Sequence, residues 1–170
     1  LNKKHNLSTS IDDVQSWEMK EVYPTLSQEE IFEPLYQEEF WYSVSPKLDA
    51  IKYIEQLIND GQEVYIVTSS HYATVKAKFE AIIKRYFPSI DWKHFITTNN
   101  KKLIKCDILV DDAPHNLDGG DYIRVLFDAP HNRSYPAEEN RMKRVHNWEE
   151  VYNLIKSLDW FFSIYGFAPI

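Results

Sequence analysis

Apolar residues in the middle of the chain recur in two rhythms, one typical of strands and one typical of helices. Short continuous apolar runs predict strands over residues 64–67, 94–97, 108–110 and 122–127. Apolar residues spaced three or four apart predict helices over residues 46–59, 73–86 and 148–158. The inward faces of the first two helices are predicted to be Ile51, Ile54, Leu57 and Ile58, and Val75, Phe79, Ile82 and Ile83. Strands that alternate with helices indicate an α/β fold, with a mostly parallel sheet covered by helices on both faces.

The segments on either side of this region have a different pattern. Residues 1–45 are rich in aromatic side chains, and Ser27 followed by Glu30 is a capping-box signature for a helix that Pro34 interrupts. We interpret residues 1–45 as a small helical unit, residues 46–158 as the α/β core and residues 159–170 as a C-terminal tail. The aromatic stretch over residues 160–167 has a rough strand-like character, which predicts packing on an exposed sheet, a surface strand or a dimer contact.

Charge and composition restrict the classes of partner. The 170 residues include 19 Lys and Arg against 26 Asp and Glu, which gives a net charge of −7. A nucleic acid polymer is therefore not expected as a partner, because binding one requires the neutralisation of many phosphates. No apolar stretch approaches the roughly 20 residues of a membrane helix, so no membrane span is expected. The lone Cys106 excludes a disulfide framework and, with no secretory signal at the N-terminus, favours a cytoplasmic location.

Polar residues follow three of the predicted strands directly. Thr68 and Ser69 follow the first, Lys101 comes after the second, and Asp111 and Asp112 follow the third. The carboxyl ends of parallel strands meet at one edge of a sheet, where α/β proteins bind ligands. A hydroxyl, an ammonium and two carboxylates are the groups that phosphoryl chemistry with Mg²⁺ requires.

Each of these features also has an ordinary structural interpretation. The Thr-Ser pair is a common helix cap, a lone lysine is commonly solvated, and an Asp pair before Ala-Pro is a common turn. Their order and their shared edge favour the functional interpretation. A receiver domain uses similar groups but places the acid pair after its first strand, so the order here disfavours it.

The order of hydroxyl, lysine and acid pair resembles motifs two, three and four of the haloacid dehalogenase-like (HAD) phosphatases. In detail, residues 64–69 (VYIVTS), 100–112 (NKKLIKCDILVDD), 126–133 (LFDAPHNR) and 145–151 (VHNWEEV) resemble the 5′(3′)-deoxyribonucleotidase family. The resemblance covers essentially residues 8–158. It implies a three-layer Rossmann-like core with a small helical cap.

The resemblance also implies an activity and a set of site residues. Family members hydrolyse nucleoside monophosphates, with a preference for deoxyribonucleotides, through an aspartyl-phosphate and one Mg²⁺. By position, Thr68 and Ser69 would bind the phosphoryl group and Lys101 would neutralise its charge. Asp112 matches the metal ligand, with Asp111 beside it, and a slip of one position in the strand would exchange the two.

Two tryptophans are candidates for holding the nucleobase. Trp41 lies where the family has a base-stacking Phe, and Trp17 matches a Trp that lines the same pocket. Base stacking on an aromatic ring contributes about 1–3 kcal/mol without strong base selection. The alternative is that both rings build the core of the helical unit.

One departure from the family concerns its first motif, Asp-x-Asp on the first strand, which supplies the nucleophile and the general acid/base. No two Asp residues of this chain stand at that spacing. We expect a central strand to be missing on the N-terminal side, which would leave two unpaired strand edges and favour association between chains as a homo-oligomer. Two explanations account for the absent motif: a truncated nucleotidase and a repaired fold. The alternatives to an enzyme are a non-catalytic nucleotide- or phosphate-binding relative and an assembly protein.

Overall fold

A computed structural model describes the backbone of residues 1–165 and the side chains of residues 1–158. Its α-helices are α1 (Asn2–His5), α2 (Met19–Val22), α3 (Gln28–Phe32), α4 (Glu38–Ser43), α5 (Ala50–Asn59), α6 (Val75–Lys78), α7 (Pro114–Leu117) and α8 (Trp148–Tyr165). Short 3₁₀ turns lie at Ile11–Asp13, Glu33–Tyr36, Tyr72–Thr74, Trp92–His94, Lys101–Leu103 and Pro130–Asn132. None of the described helices is both long and apolar enough to cross a membrane.

Five strands form two parallel sheets in the described part of the chain. The strands are β1 (Ile66–Thr68), β2 (Phe95–Thr97), β3 (Ile108–Asp111), β4 (Ile123–Phe127) and β5 (Lys143–Val145). β1 pairs with β2, with Thr68 opposite Thr97, and β4 lies between β3 and β5 in the second sheet. The predicted α/β class with parallel strands is confirmed. β5 was not predicted, because it is three residues long and two of them are charged.

Helices pack against the strands through separate apolar clusters. Ala50 and Ile54 of α5 and Ile83 of the segment after α6 pack with Phe95 of β2. Val151 of α8 packs with β4 and β5. On β3 and β4, a further cluster joins Leu109, Leu117, Leu126, Ala137 and Met142. These clusters fix the carboxyl ends of the strands relative to the helices that follow them.

The helical character of the first 45 residues agrees with the sequence pattern. Ser27 Oγ accepts a hydrogen bond from Glu30 N at 3.1 Å, and the Glu30 carboxylate accepts one from Ser27 N at 2.7 Å. The helix ends at Phe32, and a 3₁₀ turn that contains Pro34 begins at Glu33. This unit rests on the core through Leu35, whose carbonyl lies 3.3 Å from Thr74 Oγ1.

Two predicted core helices differ from the pattern in detail. The helix predicted over residues 46–59 begins only at Ala50, after Asp49 takes a left-handed conformation with φ of 59°. The helix predicted over residues 73–86 starts as a 3₁₀ turn, continues as α6 and then widens to a π-helix over Phe79–Lys84. A π-helical turn holds more residues than an α-turn, so it rotates the following side chains relative to the α-helical expectation.

The C-terminal helix is longer than predicted. Asn147 caps it, since its Oδ1 accepts a hydrogen bond from Glu150 N at 2.9 Å. The strand-like interpretation of residues 160–167 is wrong for 160–165, because α8 continues through Tyr165. An aromatic run fits a helix or a strand, and the uninterrupted helix before it decides in favour of the helix. Residues 166 and 167 lie outside the described residues.

The inward face of α5 allows a matched test of the core. Ile54 is 4% exposed, whereas Ile51, which was predicted to share its face, is 41% exposed, and Tyr53 is buried instead. We expect Ile54→Ala to lower the free energy of unfolding by about 2–5 kcal/mol, and Ile51→Ala to lower it by less than about 1 kcal/mol. Urea unfolding of both variants measures the difference. Equal losses at the two positions would contradict this packing.

Candidate functional site

The predicted phosphate-binding hydroxyls lie at the carboxyl end of β1. Thr68 is the last residue of that strand and is half-buried, and its carbonyl accepts a hydrogen bond from Thr98 N at 3.0 Å. Ser69 is exposed, and its Oγ donates to the Thr98 carbonyl at 3.1 Å. The hydroxyl of Ser70 is buried with no hydrogen-bond partner in the described part of the chain. This loop therefore places three hydroxyl groups at one end of the sheet.

Lys78 is a candidate site residue that the sequence analysis missed. It is the last residue of α6, and its Nζ lies 2.5 Å from Thr68 Oγ1 and 2.9 Å from the Ser69 carbonyl. The same ammonium lies 4.4 Å from the centre of the Trp41 ring. Lys78 thus joins the hydroxyl loop to an aromatic plane. Its position in the sequence could have revealed it, because Lys78 stands three residues after Val75 and interrupts an otherwise apolar helix face.

The environment of Lys78 disfavours its charged form. Burial, together with the smaller effect of the nearby positive charge of Lys101, lowers the pKa of Lys78 to about 8. Among the described residues no carboxylate forms an ion pair with Lys78. A half-buried ammonium held only by a hydroxyl, a carbonyl and a ring retains the capacity to bind an anion.

Lys101 and Asp111 form an ion pair that is almost removed from solvent. Lys101 begins the 3₁₀ turn after β2, and its Nζ contacts Asp111 Oδ2. The two side chains are 12% and 5% exposed. Asp111 Oδ1 also accepts hydrogen bonds from Ala113 N at 2.9 Å and from Asn116 Nδ2 at 3.1 Å. The oxygens of Asp111 are therefore occupied by contacts within the protein.

Asp112 differs from its neighbour. It is half-buried, and its carboxylate makes no hydrogen bond or ion pair with any described side chain. Its carbonyl accepts a hydrogen bond from Asn132 Nδ2 at 2.7 Å and lies 2.9 Å from a ring nitrogen of His131. Asn132 is itself buried and also donates to the Phe127 carbonyl at 2.8 Å. The backbone of Asp112 is thus held in place while its carboxylate stays available.

The carboxylates of the site can be compared with the ligands that Mg²⁺ prefers in proteins. No group of three or more His, Cys, Asp or Glu side chains among the described residues is arranged to hold a metal ion. Mg²⁺, however, is commonly bound through one or two carboxylates, with water and substrate phosphate oxygens as the other ligands. The available carboxylate of Asp112 fits this mode of binding, and Asp111 does not, because Lys101 and two N–H donors engage it.

The two tryptophans lie in separate places. Trp41 packs edge-on against Phe40, with 5.0 Å between the ring centres, and its Nε1 donates a hydrogen bond to the Leu35 carbonyl at 3.2 Å. Trp17 is 48% exposed and lies edge-on to His115 at 5.0 Å and to His131 at 5.1 Å. It borders a cavity of about 540 Å³ whose lining residues include Pro114 and Tyr135 but not Trp41. Trp41 therefore joins the group around Lys78, whereas Trp17 lies on the side of Asp112.

Comparisons with known proteins identify the family. The family described as 5′ nucleotidase, deoxy (Pyrimidine), cytosolic type C protein matches residues 1–159. A 5′(3′)-deoxyribonucleotidase of Bacillus subtilis is 46% identical over 91 residues, which is 52% of this chain and 50% of that protein. One from Clostridium acetobutylicum is 32% identical over 146 residues, 86% of this chain and 78% of that protein. A putative 5′(3′)-deoxyribonucleotidase of Staphylococcus epidermidis is 26% identical over 161 residues, 94% of this chain and 86% of that protein.

The extent of these matches differs between relatives. The alignments to the Bacillus subtilis protein and to its Bacillus phage SPbeta counterpart each span about half the length of the relative, whereas the family match spans nearly the whole chain. The chain therefore belongs to the cytosolic type C family of deoxy (pyrimidine) 5′ nucleotidases.

Proposed function

We propose that this chain is a nucleotide phosphatase that releases phosphate from deoxynucleoside 5′-monophosphates in a Mg²⁺-dependent reaction. The family and the names of its relatives support a nucleotide as the substrate. A small-molecule substrate also agrees with the net charge of −7, because a few local donors can bind a phosphate inside an acidic protein. We further propose a cytoplasmic location, which the lone Cys106 favours.

The observation that carries this proposal is the set of contacts around Lys78. Its ammonium lies between Thr68 Oγ1 and the ring of Trp41, at 2.5 Å and 4.4 Å respectively. A nucleoside monophosphate has an anionic group and a flat base joined by a sugar. An ammonium beside hydroxyls binds the first, and an aromatic plane stacks on the second.

Each residue then has a defined role in binding. Thr68 and Ser69 donate hydrogen bonds to phosphate oxygens, and Lys78 and Lys101 supply positive charge. Asp111 positions Lys101 through their buried ion pair, while Asp112 holds Mg²⁺. A bound Mg²⁺ supplies charge neutralisation on the phosphate oxygens. The site therefore favours a phosphate group on which negative charge accumulates during transfer.

A second candidate function is a binding site that does not catalyse. The observation that favours it is the lack of an Asp-x-Asp pair anywhere in the 170 residues. An aspartyl-phosphate requires a carboxylate nucleophile. Asp111 is engaged by Lys101, and Asp112 is the carboxylate that we assign to the metal. A non-catalytic relative would bind nucleotide with the same residues and release no phosphate.

One experiment separates the two functions. Phosphate release from dUMP is measured with Mg²⁺ and with EDTA, and binding of dUMP is measured in parallel by calorimetry. Release that requires Mg²⁺ supports the phosphatase. Binding without release supports the non-catalytic relative, and neither binding nor release from folded protein contradicts both.

The pKa of Lys78 predicts how binding depends on pH. Because the pKa of Lys78 is lowered to about 8, raising the pH through 8 removes its charge while the phosphate stays a dianion. We expect the Kd for dCMP, whose base does not lose a proton in this range, to rise by up to about tenfold per pH unit above 8. Calorimetric titrations between pH 7 and about pH 10 measure this slope.

The matched control is Lys78→Arg. A guanidinium stays charged throughout this range, so its Kd is expected to change little with pH. The same slope in the variant and in the original chain would assign the pH dependence to another group.

A further inference from the structure

The backbone carbonyl of Leu35 connects the helical unit to the core. It accepts hydrogen bonds from two side chains, Trp41 Nε1 at 3.2 Å and Thr74 Oγ1 at 3.3 Å. Trp41 lies on α4 of the helical unit, whereas Thr74 ends the 3₁₀ turn that follows the hydroxyl loop, residues 68–70. A carbonyl oxygen has two lone pairs, so it can accept both hydrogen bonds at once. The Trp41 ring and the turn after the hydroxyl loop therefore share one acceptor.

Thr74 is a buried polar residue whose hydroxyl has a restricted choice of acceptor. The residue is 1% exposed, so water does not replace a lost hydrogen bond. Among the described residues, the other acceptor within hydrogen-bond distance is the His71 carbonyl at 3.4 Å, which already accepts the Thr74 backbone N–H at 3.0 Å. A hydroxyl has one proton to donate. When Thr74 donates it to the Leu35 carbonyl, the core is tied to the helical unit.

The spacing of Thr74 and Lys78 gives α6 two points of contact with the surroundings of Trp41. Thr74 directly precedes α6 and Lys78 is its last residue, and side chains four residues apart lie on the same side of a helix. Lys78 Nζ lies 4.4 Å from the centre of the Trp41 ring, and Thr74 reaches the same tryptophan through the Leu35 carbonyl. A phosphate bound by Lys78 competes with the ring for this ammonium. The contact of Thr74 does not involve the ammonium, so it persists when a phosphate binds.

From the shared acceptor, the burial of Thr74 and its spacing from Lys78, we propose that Thr74 is a positioning residue that orients the Trp41 ring for stacking on the nucleobase. Thr74 acts through the Leu35 carbonyl, without contact to the base or the phosphate. The inference rests on the proposed function, because it concerns the base-binding part of the same nucleotide site. It assigns to Thr74 an effect on the affinity for the base and none on the affinity for the phosphate.

Two substitutions separate the hydroxyl of Thr74 from its shape. Thr74→Val keeps the branched shape and removes the hydroxyl, whereas Thr74→Ser keeps the hydroxyl and removes a methyl group. Calorimetry compares dUMP with 2-deoxyribose 5-phosphate, which has the same sugar and phosphate but no base. We expect Thr74→Val to raise the Kd for dUMP by about fivefold and to change the Kd for 2-deoxyribose 5-phosphate by less than about twofold. Thr74→Ser is expected to keep both Kd values within about twofold of those of the original chain.

Two further measurements show whether the effect passes through Trp41. In a Trp41→Ala background, Thr74→Val is expected to change the Kd for dUMP by less than about twofold, because no ring is left to orient. Without ligand, NMR follows the indole N–H signal of Trp41, which is assigned by its absence from the spectrum of Trp41→Ala. This signal is expected to shift in Thr74→Val, because its acceptor loses the second donor, and to stay in place in Thr74→Ser.

Several outcomes would overturn the role of Thr74 and leave the proposed function in place. They are an equal loss of affinity for both ligands in Thr74→Val, no loss for either ligand, a fivefold loss that persists in the Trp41→Ala background, and an unshifted Trp41 indole signal. Failure of the original chain to bind dUMP would overturn the proposed function and the role of Thr74 together. The original chain alone therefore distinguishes the two failures.

Discussion

Replacing Lys78 by Met is expected to weaken the binding of dUMP by about 100-fold, equivalent to about 3 kcal/mol. The ammonium of Lys78 is the group that lies on both the hydroxyl loop and the Trp41 ring. Its loss leaves Thr68 and Ser69 to hold a dianion with Lys101, whose charge is already paired with Asp111. Calorimetry with dUMP at pH 7 measures the effect, where Lys78 is charged because its pKa is about 8.

The chain offers a matched control two residues away. Lys76 lies on the same helix but is less buried against the site, and Lys76→Met removes the same charge from the protein. This variant is expected to bind dUMP with nearly unchanged affinity. Lys78→Met should remain folded, because burial of the Lys78 charge is unfavourable and methionine removes that cost. Similar affinities for the two variants would remove Lys78 from the site.

The sequence predicted the elements of the core to within a few residues, and the reason is their periodicity. The strand predicted over 108–110 is observed as Ile108–Asp111, and the one predicted over 122–127 as Ile123–Phe127. Apolar runs of this kind are visible in the residue pattern itself. β5 was missed because Lys143 and Arg144 interrupt any such run. Its pairing with β4 stabilises the strand, and the local sequence pattern does not reveal that pairing.

The candidate site was predictable where residues follow strands, and less so where a helix contributes. Thr68, Lys101 and Asp111 were predicted as site residues because each follows or ends an apolar run. Lys78 lies ten residues beyond Thr68 and reaches it only because the turn after β1 leads α6 back over the sheet edge. The sequence also left open which of the two acids is available, and only the contacts of Lys101 with Asp111 distinguish them.

Because Lys101 pairs with Asp111, replacing Lys101 affects the stability of the fold as well as the activity. Its side chain is 12% exposed and pairs with a carboxylate that is 5% exposed. Removing one partner of a buried pair leaves the other charge without compensation, which costs about 3–5 kcal/mol. We therefore expect Lys101→Ala to lower the free energy of unfolding by about that amount, and any loss of activity in this variant to include loss of folded protein.

A second lysine in the chain serves as the control for this effect. Lys4 pairs with Glu33 on the surface, where the two side chains are 54% and 43% exposed. Lys4→Ala is expected to change the free energy of unfolding by less than about 1 kcal/mol, because solvent screens an exposed pair. Urea unfolding compares the two variants directly.

The double variant Lys101→Met with Asp111→Asn tests the cause of the loss. It removes both charges while keeping side chains of similar size, so no buried charge is left unpaired. The amide oxygen of the introduced asparagine would still accept a hydrogen bond from Ala113 N, as the Asp111 carboxylate does at 2.9 Å. We expect the double variant to recover most of the stability that Lys101→Ala loses. A double variant as unstable as Lys101→Ala would show that the attraction within the Lys101–Asp111 pair, and not the cost of an unpaired buried charge, holds this end of the sheet.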